Sequence, residues 1–310
     1  MTEMLSSEEG WLAYQTLGSQ GFDRISLVRV DGTDDHSILD ELDGNVRHPD
    51  FSRDGSRLAF DQLESDESAD QVYVANADGT AAKPVARCDL ARCLSYWEPA
   101  WSPDGTHLAI STAAGPLTDK GPSGFGIAIV DVDSGAVRQM LDHPSQVGQD
   151  HFPRWSPDGE RLVFWRGRYA ADGSPQTAIF LVNVDGSGLR QLTPWNMLAG
   201  DPDWAPDGSL IVFNTRPLLE FGEDGRSELY TMHPDGSQML PLTSYGDDGA
   251  RATQARWTPD GRAIIYTRVT QSGSPRHVWA ISADGRIDVP ILETDSIYTH
   301  PVLQPMAEAR

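Results

Sequence analysis

The chain has 310 residues, with 46 acidic against 24 basic side chains and a formal net charge of −22. Such a field repels nucleic acid and anionic membrane surfaces, and neither is expected as a partner. No apolar run reaches the ~18 residues of a membrane span, and the opening MTEMLSSEEG lacks the basic and apolar regions of a secretory signal, so no membrane insertion is expected. As given, the sequence reads as cytoplasmic, or as periplasmic or extracellular if a signal has been removed.

In chain order, GWLAYQT from Gly10 reads as a strand, and LVRVDGT as the start of a hairpin. A phrase then begins at His48, HPDFSRDGSRLAFDQ, and returns as EPAWSPDGTHLAIST at Glu98, FPRWSPDGERLVFWR at Phe152, DPDWAPDGSLIVFNT at Asp201 and QARWTPDGRAIIYTR at Gln254. Such periodicity marks an array of one small unit. The residue before Pro is pushed towards extended backbone. Ser-Pro-Asp-Gly is turn chemistry, and a β-forming run such as HLAIST follows it. Later in each unit VYVANADGT, IAIVDVDSG, FLVNVDGSG, LYTMHPDGS or VWAISADGR supplies a second strand pair around its own turn. The two cysteines, Cys88 and Cys93, are too few for a four-thiolate metal site, and either a small-loop disulfide or two reduced thiols fits their spacing.

One unit is therefore four antiparallel strands. Five copies are marked by Phe51, Trp101, Trp155, Trp204 and Trp257, aromatics expected to wedge between units. Trp165, at the end of a second strand, is expected to be less buried. The sixth copy is split: HPVLQP at His300 matches the start of the phrase, and its partner strand is at the other terminus. Pairing the two ends removes open sheet edges. The expected fold is all-β, a single six-bladed β-propeller over 1–310, closed by pairing of the N- and C-terminal strands in one shared blade (10–42 plus 298–305). The other blades fall at about 47–87, 97–142, 152–194, 201–243 and 254–293.

The motif x-Pro-x-Trp-Ser-Pro-Asp-Gly-x-x-Leu-Ala-Phe, matched most fully at Glu98–Ile110 and Phe152–Phe164, resembles the repeats of TolB-type β-propellers over nearly the whole chain. The N-terminal α/β domain of TolB is not visible. The resemblance implies the fold more than a function. Related propellers gate prolyl-oligopeptidase-like peptidases, but no hydrolase domain or nucleophile elbow follows here. Oligogalacturonate lyases are similar in repeat, yet their His-x-His pair has no match.

In an up-and-down blade the short repeated turns share one face, and the long, varied connections share the other. The second face, with AAGPLTDKGPSGFG at Ala113, GRYAADGSPQT at Gly167 and RPLLEFGEDGRSE at Arg216, is the expected binding face. Tyr169, Arg216 and Phe221 are its candidate contact residues. The residue three before each wedge aromatic is expected where the inner strand begins, at the channel mouth: His48, Glu98, Phe152, Asp201, Gln254 and His300. Of these His48, Glu98, Asp201, Gln254 and His300, with His151, form a second candidate group. His48, Glu98 and His300 are the candidate ligands of a divalent metal. Asp54, Asp104, Asp158, Asp207 and Asp260 are turn formers by position. The leading expectation is a non-enzymatic protein- or peptide-binding scaffold with no cofactor. The alternative is a metal-assisted lyase or hydrolase acting on a carbohydrate-type substrate at the channel mouth.

Overall fold

A computed structural model describes residues 10–18, 21–64, 69–86, 93–118, 121–144, 148–215, 227–245, 250–269, 276–292 and 298–306. Cys88 lies outside them. The motif turns show why the phrase recurs. Ser52, Ser102, Ser156 and Thr258 each donate a hydroxyl to the aspartate two residues on. That aspartate accepts the N–H of the residue two further on. The same hydroxyl oxygens accept the first N–H of the second strand. The glycine of each turn has φ near +70°, which only glycine adopts without strain. These aspartates are turn formers, as their position implies.

The strands build six four-stranded antiparallel sheets. In blade 1 the inner strand is Tyr298–Leu303, hydrogen-bonded to Trp11–Leu17, with Asp23–Arg29 and His36–Ile38 outside it. Blades 2 to 6 follow in chain order, with inner strands Asn45–Phe51, Cys93–Trp101, Gln149–Trp155, Ala199–Trp204 and Arg251–Trp257. The single helical turn among the described residues is Trp195–Met197, and no helix there is long and apolar enough to cross a membrane.

Apolar clusters lie between consecutive blades. Val72 and Val74 of blade 2 meet Leu108 and Ile110 of blade 3, and Val163 and Ile179 of blade 4 meet Ile211 and Phe213 of blade 5. Leu12, Tyr14 and Val28 of blade 1 meet Ile265 and Val278 of blade 6, so the first and last blades pack as any other pair does. A lone sheet would leave both faces wet, and this burial is what holds the units together.

Two expectations about this core are corrected. Phe51, Trp101, Trp204 and Trp257 are buried, but Trp155 is only half-buried. Trp165 is instead 3% exposed, because His151 stacks on it and Trp204 and Ala199 of blade 5 close over it. Two stretches read as long loops are also strand. In blade 3 the second and third strands continue to Thr118 and from Gly121. In blade 4 Tyr169 pairs with Pro175, leaving a tight turn at Ala170–Ser174. Glycine and proline near hairpin tips made both read as coil.

Candidate functional site

The inner strands begin earlier than the motif suggests, so the aligned residues lie midway along them and not at their starts. His48, for example, is the fourth residue of Asn45–Phe51. All six occupy left-handed backbone: φ is 54° at His48, 56° at Glu98, 51° at Phe152, 47° at Asp201, 58° at Gln254 and 52° at His300. Each coincides with a register shift between first and second strands. The motif thus encodes one β-bulge per blade. A non-glycine residue held there costs on the order of 1–3 kcal/mol and persists only where its surroundings over-determine it.

Those surroundings come from the adjacent blade. The Glu98 N–H donates to Asp61 Oδ1 of blade 2 at 3.0 Å. The Phe152 N–H donates to Glu98 Oε2 of blade 3 at 2.9 Å. The Gln254 N–H donates to Asp201 of blade 5, and the His300 N–H to Gln254 Oε1 of blade 6 at 3.0 Å. The bulge turns an N–H out of its own sheet, and a carboxylate or amide of the preceding blade accepts it. Further bonds fix the acceptors: the Ser111 hydroxyl donates to Glu98 at 2.6 Å, His48 Nδ1 lies 2.6 Å from Asp61, and the Thr267 hydroxyl donates to Gln254 at 3.0 Å.

The rings of this layer fill the axis. Phe152 stacks on His300 at 5.6 Å, and His48 meets His300 edge-on at 4.6 Å and Phe152 at 5.4 Å. Beside them a cavity of about 10 Å³, lined by Phe152, Asp201, Gln254 and His300 among others, has room for no more than about one water. Burial alone would raise the Glu98 carboxyl, but His151 and His48 with the bonding hydroxyl hold it down at about 2. Burial would also lower His48, yet the Asp61 carboxylate outweighs that and raises it. Asp201 goes the other way, to about 7, through burial and then repulsion from Glu98. Among the described residues no three His, Cys, Asp or Glu side chains are grouped to hold a metal ion.

His151 sits one residue before the bulge. Its Nδ1 lies 3.4 Å from Glu98 Oε1, its ring stacks on Trp165 at 4.5 Å, and Trp97 and Phe125 flank it at 5.9 and 6.5 Å. The protein's own imidazole fills that aromatic box.

A second polar layer, missed from the sequence, lies two residues further on. Asp50 Oδ2 accepts the Trp101 N–H at 2.9 Å, and Asp203 Oδ2 accepts the Trp257 N–H at 2.8 Å. Arg256 reaches both aspartates, at 3.9 and 3.6 Å, and Arg154 is buried in the same layer. The residue just before the motif aromatic carried this signal, since it is Asp50, Arg154, Asp203 and Arg256 in four of the blades.

On the loop-rich face Tyr169 is 72% exposed. Beside it Arg168 stacks on the half-buried Trp195 at 3.8 Å and donates to Gln176. Arg216 and Phe221 lie outside the described residues.

A sequence profile of the TolB beta propeller domain matches residues 10–307. An uncharacterised protein of Agrobacterium fabrum is 28% identical over 223 residues, which is 70% of this chain and 68% of that protein. The uncharacterised peptidase YuxL of Bacillus subtilis is 26% identical over 205 residues, 55% of this chain; the match spans only 29% of YuxL. Among solved structures, TolB from Acinetobacter baumannii shares the fold, with a TM-score of 0.69 at 17% identity, covering 98% of this chain and 69% of that one. With the repeats, the six sheets and a profile match along almost its whole length, the chain belongs to the TolB β-propeller domain family.

Proposed function

We propose that this protein is a non-enzymatic scaffold that holds a protein or peptide partner on its loop-rich face. The observation that carries the reading is the exposed Tyr169 beside Arg168 stacked on Trp195, since aromatic and arginine side chains anchor interfaces. The channel supports it from the other side. Its polar groups are engaged in tying blades together, and the cavity beside Phe152 and His300 is too small for a sugar. The immobilised protein should capture its partner from a lysate of the source cells. Changing Tyr169→Ala and Arg168→Ala together should cut that capture by about ten-fold or more, whereas Thr80→Arg on the tight-turn face should leave it unchanged. Equal capture by both variants would reject this face as the binding surface.

A metal-assisted lyase or hydrolase is the second reading. Asp201, titrating near 7 in the same layer as the 4.6 Å His48–His300 pair, is the observation that favours it. Uptake of zinc, manganese, nickel or calcium at micromolar levels, abolished by His48→Ala with His300→Ala, would replace the scaffold reading.

A further inference from the structure

The tight-turn face holds a cleft of about 500 Å³ between blades 3 and 4, and its wall is the half-exposed Trp155. The cleft lies where the side chain that would cover the motif ring from the preceding blade is His107. In blade 2, Arg57 opens the second strand and lays its guanidinium 4.2 Å from the ring centre of Trp101 in blade 3. The same guanidinium donates to the Gly105 carbonyl at 2.7 Å. In blade 4, Arg161 lies 5.2 Å over Trp204 of blade 5. In blade 5 the position is Leu210, which packs in the cluster of Trp257. In blade 3 it is His107. That imidazole is shorter, and its Nδ1 lies 2.6 Å from the Thr106 hydroxyl. Among the described residues no guanidinium stacks on Trp155. Gly159, whose carbonyl corresponds to that of Gly105, lines the cleft.

The rim is anionic. Asp104, Asp131 and Asp158 all line the cleft, and hydrogen bonds from their own turns hold each carboxyl below its usual range. The opposing charges are Arg138, which donates to the Val184 carbonyl at 3.1 Å, and Arg161, which lies 3.6 Å from Asp158. His107 lies 3.8 Å from Asp131. We propose that this cleft binds an arginine side chain of a partner polypeptide, whose guanidinium stacks on Trp155 in the place that Arg57 takes on Trp101. The planar cation fits the aromatic face and the carboxylates beside it. A volume of this size exceeds a guanidinium and takes the flanking peptide as well. The net charge of −22 steers cationic segments towards it. This site lies on the face opposite the Tyr169 patch and stands independently of the partner proposed there.

The test uses the full chain and a blocked tripeptide, acetyl-Gly-Arg-Gly-amide, followed by the indole N–H resonance of Trp155. A saturable shift is expected. His107→Arg, whose guanidinium would cover Trp155 from within, should weaken it about ten-fold or more while the remaining resonances stay in place. Asp131→Asn, at an exposed turn, should weaken it several-fold. The lysine tripeptide should bind about ten-fold more weakly, and so should agmatine, which has the guanidinium without the peptide. No saturable shift, or equal binding by the His107→Arg variant, would overturn the site. Equal binding of the lysine peptide would overturn the guanidinium, and equal binding of agmatine would overturn the polypeptide occupant.

Discussion

Removing the chain from Tyr298 onward should abolish the cooperative thermal transition of the protein or drive it to aggregate. The strand Tyr298–Leu303 pairs along Trp11–Leu17 and closes one side of blade 1. It brings His300, whose N–H reaches Gln254 of blade 6, and Gln304, which bonds the Trp11 and Gly55 backbones. Without it Leu12, Ala13 and Tyr14, all at most 2% exposed, would lie beside an open sheet edge. Uncovering several such side chains at about 1.5–3 kcal/mol each rivals the 5–15 kcal/mol that holds a typical domain together. Calorimetry of the truncated chain decides it. A transition at the parent temperature would mean that the terminal strand is dispensable.

Trp101→Ala should cost about 3–5 kcal/mol in denaturant unfolding, the range for large buried aromatics. Its ring is 6% exposed, its indole N–H donates to the Asp50 carbonyl at 3.1 Å, and Arg57 covers its face. Trp165→Ala should cost a similar amount, since Trp165 is 3% exposed and stacked on His151. Trp155→Ala should cost about half as much, because one side of that ring already faces the cleft. If Trp155 proved the costliest of the three, the side-chain packing between blades 3 and 4 would be wrong.

The turns, strands and blade count were legible because they depend on local chemistry. Pro, Asp and Gly act within a few residues of one another, and a repeated turn announces a repeated hairpin. Each terminus holds half of one phrase, and the two halves pair as Tyr298–Leu303 along Trp11–Leu17. Burial of individual rings was not legible, since Trp155 and Trp101 occupy the same place in the motif. What separates them is residue 57 against residue 107, on the neighbouring blade. The aligned channel residues were found, but the bulge they share was not. Left-handed backbone at His48 or Glu98 cannot be read from residues that normally avoid it, and proline after them argues against it. Once the bulge is seen, the mixture of Glu, Asp and Gln has a shared meaning: each can accept the N–H that the next blade turns inward.

Native-state hydrogen exchange at the amides of Glu98, Phe152, Gln254 and His300 tests most directly whether the channel's polar side chains tie the blades together. All four should exchange as slowly as the buried strand amides around them. In the Glu98→Ala variant the Phe152 amide should exchange about a hundred-fold faster or more, while that of Gln254, bonded to Asp201, should change no more than the molecule as a whole. Rapid exchange at these positions in the parent protein, or a Phe152 amide indifferent to the loss of Glu98, would contradict the assignment and return these residues to the pool of groups free to serve a ligand.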